Sequence, residues 1–110
     1  MRTYEGLFVF DPSLSTEAVQ EAIATVEGVI TKREGRMIKR VDRGRINLGY
    51  EIKKKKDGFS HVLYFTITPT ALTAIDYEIR LMSGIVKFSI FRCDEKDVPV
   101  AAEATPGQEG

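Results

Sequence analysis

Six segments in the order strand-helix-strand-strand-helix-strand, two of them amphipathic helices with one apolar stripe each, fit within 110 residues. Together they predict a single α+β domain. That order is two split βαβ units. It closes as the ferredoxin-like βαββαβ architecture, a four-stranded antiparallel sheet with two helices on one face. Strands 1 and 3 are then central, and strands 2 and 4 are edges. Residues 1–93 are expected to form the domain and residues 94–110 a flexible polar tail.

Strand 1 is read at residues 3–11, where Leu7-Phe8-Val9-Phe10 precedes Asp11-Pro12. Apolar residues at both parities suit a central strand. A helix is read over 15–34. Val19, Ala22, Ile23, Val26, Val29 and Ile30 share one face at the 3.6-residue period. Ser15 can cap it, Leu14 and Val19 can form its hydrophobic staple, and Gly35 ends it. Glu17 and Glu21 near its start and Lys32 and Arg33 near its end suit the macrodipole. Strand 2 spans 36–53, where Ile46, Leu48, Tyr50 and Ile52 alternate with Arg45, Asn47, Gly49 and Glu51. This predicts one buried and one polar face, with Tyr50 in the core. Met37 and Val41 are out of phase with that set, which predicts a bulge near Gly44.

Lys53 to Gly58 reads as a basic hairpin loop ending in the turn pair Asp57-Gly58. Residues 59–67 form strand 3. Thr68-Pro69 predicts a helix start, with a capping hydroxyl followed by proline at the first helical position. Leu72, Ile75, Ile79 and Met82 give this second helix its stripe, and Gly84 ends it. Strand 4 covers 85–92.

The chain is 43 % apolar and 29 % charged, a composition that can build a core and excludes intrinsic disorder. One cysteine, Cys93, excludes an internal disulfide and fits a reducing compartment. The N-terminal residues contain no signal-like apolar run, and no stretch approaches the ~20 apolar residues of a membrane span. A soluble intracellular domain is expected. The formal net charge is zero, but the charge is not evenly spread. Residues 32–56 hold eleven Lys and Arg against the acids Glu34, Asp42 and Glu51. Such asymmetry suits a polyanionic partner. A solvated edge strand whose lysines deter aggregation is the plainer alternative.

Catalysis has little support. The one histidine, His61, lies mid-strand, Cys93 has no CxxC partner, and no phosphate-loop, dinucleotide or HExxH motif occurs. No cofactor, metal, membrane or small-molecule substrate is expected, and the chain reads as a non-enzyme. A small-ligand domain of the same architecture remains an alternative. Leu7-Phe8-Val9-Phe10-Asp11 on strand 1 and Gly58-Phe59-Ser60-His61-Val62-Leu63-Tyr64 on strand 3 resemble the two aromatic motifs of RNA-recognition-motif domains. On that alternative reading, Phe8, Phe59 and His61 would stack single-stranded bases on the open sheet face.

The run Gly44-Arg45-Ile46-Asn47-Leu48-Gly49-Tyr50-Glu51-Ile52-Lys53 resembles the strand-2 signature of the bacterial small-subunit ribosomal protein six family. Arg2-x-Tyr4-Glu5 with Pro12, Thr68-Pro69, and Ile79-Arg80-Leu81 followed by Ile85-x-Lys87 are similar to its other pieces, in order. The resemblance covers residues 2–92. The chain departs from the pattern at Arg43, Ile46, Gly49, Glu51 and Val86. The resemblance implies a structural component of the small ribosomal subunit, in the cytoplasm or in an organelle. It implies binding to the central domain of small-subunit rRNA on the platform, as a heterodimer with small-subunit ribosomal protein eighteen. Arg2, Lys54, Arg80, Lys87 and Arg92 are the expected RNA contacts. For Arg80 a local pair with Asp76, four residues earlier, is an equal alternative. Lys39, Val41, Arg43, Arg45 and Asn47 on the strand-2 edge are the expected partner contacts. An edge strand carries unpaired N–H and C=O groups that a partner can occupy.

Overall fold

The computed structural model describes residues 1–94 together with Lys96 and Val98. The remainder of the expected tail lies outside the described residues. The elements are β1 (Arg2–Phe10), α1 (Thr16–Thr31), β2 (Arg36–Ile52), β3 (Lys55–Ile67), a short 3-10 turn (Pro69–Ala71), α2 (Leu72–Arg80) and β4 (Ile85–Arg92). All strand pairs are antiparallel, in the order β2-β3-β1-β4. Both helices cover one face, and this is the predicted ferredoxin-like sheet with β1 and β3 at its centre.

The main core lies between that face and the helices. Tyr4, Phe8 and Phe10 of β1 and Leu63, Phe65 and Ile67 of β3 meet Val19, Ile23, Val26 and Ile30 of α1 and Ile75 and Ile79 of α2. Leu72 and Met82 pack at its rim, completing the expected stripe. The Ser15 hydroxyl accepts from the Ala18 amide at 3.1 Å, as a cap should. At the other end of α1 the structure corrects the reading. The left-handed residue is Glu34, with φ 67°. Gly35 is needed for closeness instead, since a Cβ there would lie 2.6 Å from Ile30 Cγ2 and 2.8 Å from its carbonyl oxygen. Lys32 and Arg33 lie just past the helix and tie it to α2. Lys32 Nζ donates to Glu78 Oε1 at 2.7 Å and Arg33 Nε to Oε2 at 3.0 Å. These two bonds, Lys32's first, hold the Glu78 carboxyl below its ordinary range.

Thr68 makes no side-chain cap bond. The chain passes through the 3-10 turn at Pro69 before the α-helix begins. The β2–β3 connection is also tighter than expected. Ile52 pairs with Lys55, so the turn is Lys53-Lys54, both with positive φ (51° and 67°). Two left-handed central residues are what the right-handed twist of a two-residue hairpin demands. Asp57-Gly58 is therefore not the turn but part of β3.

Three register shifts interrupt β2, at Met37/Lys39, Asp42/Gly44 and Asn47/Ile52, and change which way its side chains face. Met37 joins the helix-side core. Val41 points to the other face, where it is buried with Val62 and Tyr64. Ile46 and Leu48 line a groove on that open face with Leu7 and Val9. Tyr50 is 64 % exposed. The expected buried face of Ile46, Leu48, Tyr50 and Ile52 is thus corrected. A bulge shifts strand parity by one residue, so a period-2 pattern cannot be carried across it.

Candidate nucleic-acid interface

Three basic residues converge at the end of the sheet that carries the β2–β3 turn. The two-residue turn carries Lys53 beyond the end of β1, and its Nζ donates to the Ile85 carbonyl oxygen at 3.2 Å. Lys53 thereby forms one wall of a cleft of about 280 Å³ whose other walls include Arg80, Lys87 and Phe88. Arg80 comes from the last turn of α2 and Lys87 from β4, so three elements bring their cations to one place. Lys54 neighbours the cleft at the tip of the turn. Sequence reasoning missed Lys53. Its position depends on the turn being two residues long, for which Lys-Lys gives no glycine or asparagine signal.

The geometry around Arg80 settles its local pair. Nε donates to Asp76 Oδ2 at 2.8 Å, and the guanidinium lies 5.2 Å from the centre of the Phe88 ring. The side chain remains largely exposed. The ion pair and ring contact hold the guanidinium plane in place while leaving donors free in number for a phosphate, since Arg has five N–H groups. A concave site lined by three cations is suited to a phosphate-bearing ligand.

Arg2 and Arg92 are elsewhere. Arg2 begins β1, and Arg92 pairs with Tyr4 at the end of β4. Lys87 pairs with Val9 at the other end of β1. Several residues at ~3.4 Å each separate the two groups. The five residues expected to meet RNA therefore form two clusters at opposite ends of the sheet.

The expected partner contacts also divide. The outer edge of β2 has no paired strand among the described residues. Lys39 pairs with Tyr64 and Val41 with Val62, which puts both on the open-face side. Val41 is buried, so it supports the edge rather than presenting itself on it. Arg43 falls at the second shift, facing the Tyr64 hydroxyl. That hydroxyl donates to Glu5 Oε2 at 2.9 Å. Burial, followed by the bond to Glu5, pushes the phenol up to about 12. Beyond the shift Arg45 is on the helix side. Its Nε donates to Asp57 Oδ2 at 2.7 Å, and the guanidinium lies 5.8 Å from the Phe59 ring centre. Asn47, paired with Asp57, follows it and accepts from the Gly49 amide at 2.7 Å.

The single-strand stacking alternative is contradicted. Phe8 is fully buried, stacked on Phe88 at 5.8 Å and Phe10 at 6.3 Å. Phe59 packs against the same helix-side core. His61 is buried edge-on to Phe10 at 5.6 Å. None of the three faces the open side. The Phe8 and His61 positions pair across β1 and β3, and their parity turns both toward the helices.

Among the described residues no cluster of three or more His, Cys, Asp or Glu could hold a metal ion, and no helix is long and apolar enough to cross a membrane.

Comparison with known proteins agrees with this architecture. The family model for ribosomal protein S6 matches residues 3–92. Small ribosomal subunit protein bS6 of Helicobacter acinonychis is 34 % identical over 96 residues, covering 87 % of this chain and 68 % of the relative. The bS6 protein of Chlamydia caviae is 33 % identical over 91 residues, covering 83 % and 81 %. The crystal structure of 30S ribosomal protein S6 from Thermotoga maritima superposes with a TM-score of 0.78 at 28 % identity, covering 84 % of this chain and 87 % of that one. The C-terminal domain of MgtC from Mycobacterium tuberculosis shares the fold alone, with a TM-score of 0.60 at 10 % identity. The family match over residues 3–92 and the relatives at 33–34 % identity lead to one assignment: the chain belongs to the ribosomal protein S6 family, whose members are structural ribosomal proteins and not enzymes.

Proposed function

We propose that this chain is a structural component of the small ribosomal subunit that binds the central domain of small-subunit rRNA on the platform, paired with small-subunit ribosomal protein eighteen. The observation that carries the RNA reading is the cleft where Lys53, Arg80 and Lys87 converge, with Lys54 following Lys53 in the turn. Arg80 and Lys87 are two of the positions that the family resemblance implies, and they come from different elements. Arg2 and Arg92, at the far end of the sheet, serve as a second contact with a separate stretch of backbone. Lys39, Arg43, Arg45 and Asn47 flank the open β2 edge, where the partner adds its own hydrogen bonds. Val41 is buried behind them as their support.

The test is salt-dependent binding to a central-domain rRNA fragment in the presence of the partner protein. Each lost phosphate contact reduces the slope of log affinity against log salt by about 0.7–0.9. Replacing Lys54 and Lys87 together with alanine is expected to weaken binding and flatten the slope by about 1.4–1.8. An unchanged slope removes these residues from the interface. Co-sedimentation of the natural chain with small subunits at moderate salt tests the assembly itself. Recovery only in light fractions at low and high salt would overturn it.

A further inference from the structure

A series of aromatic rings runs from the core to the cation-lined cleft. Phe10, Phe8 and Phe88 follow one another at interplanar angles of 15° and 9°. Phe8 and Phe10 are fully buried and Phe88 partly so. Over the Phe88 ring lies the Arg80 guanidinium, 5.2 Å from the ring centre. The series ends there in solvent, because the Arg80 side chain is 66 % exposed.

Two contacts restrain that guanidinium. Phe88 lies against it, and Asp76 Oδ2 accepts from its Nε at 2.8 Å. Asp76 is four residues earlier on α2, so the helix itself sets the geometry of the pair. An exposed arginine ordinarily loses rotamer freedom when it binds a ligand, and here part of that freedom is already gone in the free chain. A guanidinium plane is a surface on which an unpaired RNA base can stack, whereas a lysine ammonium has no plane to offer.

The cleft is also not built for a phosphate alone. Its lining sets Lys53, Arg80 and Lys87 beside the apolar Ile79, Met82 and Ile85. A phosphate uses the charges and gains nothing from the apolar wall. A nucleotide has a part for each: an anionic group and a flat base with an extended π-face.

We propose that Arg80 is a stacking platform for one unpaired base of the bound RNA, with Lys53 and Lys87 meeting the adjoining phosphate and Asp76 positioning the platform. This rests on the RNA reading above and adds that the cleft engages a base as well as backbone charge. Every base has a π-face, so the platform tolerates sequence.

The test is NMR titration of the full chain with adenosine monophosphate and with ribose 5-phosphate, which carries the same anionic group and no base. Adenosine monophosphate is expected to bind about tenfold more tightly. A base over the guanidinium shifts the Arg80 Hε signal upfield by its ring current, whereas a phosphate contact alone shifts it downfield. Equal affinities, a downfield shift with both probes, or no binding of either would overturn the platform. Asp76→Ala removes a carboxylate and so strengthens phosphate binding for both probes alike, while the preference for adenosine monophosphate is expected to fall about threefold. An unchanged preference would overturn the positioning role of Asp76. Arg80→Lys keeps the charge and loses the plane. With the central-domain rRNA fragment and the partner protein, it is expected to weaken binding about fivefold at an unchanged salt slope. Equal affinity of the natural and Arg80→Lys chains would overturn the platform. A natural chain that keeps its preference for adenosine monophosphate but does not bind the fragment would overturn the rRNA reading and support the platform.

Discussion

Truncating Phe8 to alanine should be among the most damaging single changes in the domain, whereas the same change at Tyr50 should be nearly silent. Phe8 is fully buried, with its ring stacked between Phe10 and Phe88. It also lies over Gly6, where a Cβ would come within 2.7 Å of its Cε1. Gly6 has no side chain to move into the space, so the cavity left by the ring would close poorly. A buried Phe→Ala change costs about 3–5 kcal/mol, and poor collapse places this one toward the upper end. Tyr50 is 64 % exposed, and surface changes of that kind stay within about 0.5 kcal/mol. Urea unfolding followed by circular dichroism reads the difference. With a denaturant slope of about 2 kcal/mol per molar, Phe8→Ala lowers the midpoint by about 2 M and Tyr50→Ala by less than about 0.25 M. A whole domain is held by only about 5–15 kcal/mol, so loss of the folded baseline in the Phe8 variant counts as the expected direction. Equal losses for the two variants, or a larger loss for Tyr50, would refute the assignment of faces in β1 and β2.

Stability should fall between neutral pH and pH 5 through His61, the one histidine of the chain. Burial, with Arg40 assisting and Asp42 opposing, lowers its pKa below the ordinary 6.5. The unfolded chain then takes up the proton first. Stability is fully present above about pH 6.5 and is lost as pH falls through the folded-state value. Urea midpoints that stay flat from pH 7 to 5 would contradict this, and His61→Leu should remove the slope. The bonds that lower Asp11 and Glu78 act at more acidic pH, where those carboxylates gain protons. Two glycines should respond in opposite directions to alanine. Gly35→Ala meets Ile30 and Ile67 at 2.6–3.0 Å and should cost about 1–3 kcal/mol. Gly28→Ala, within α1 and with nothing within 4 Å of the added Cβ, should gain about 0.5–1 kcal/mol. Calorimetric melting temperatures that move in the same direction would refute this pair.

Much of this molecule was legible in its sequence because the deciding interactions are local. The stripe from Val19 to Ile30, the Ser15 cap and the run Leu72-Ile75-Ile79-Met82 depend on a helical period that no distant residue can alter. The element order left few topologies, and the central placement of β1 followed from apolar residues at both parities. The excess of cations between residues 32 and 56 was equally plain. Tertiary structure decided which face each strand residue occupies. Alternation shows that two sets of residues face opposite ways, but not which set the helices cover. The shifts at Met37/Lys39 and Asp42/Gly44 exchange the sets within β2. For that reason Val41 is buried on the open side and Arg45 lies across the sheet from Arg43, while Tyr50 falls in the third irregularity, between Asn47 and Ile52, and is exposed. The cleft is tertiary for the same kind of reason. Lys53, Arg80 and Lys87 belong to three elements, and only the two-residue turn, set by the twist of paired strands, brings Lys53 to the start of β4.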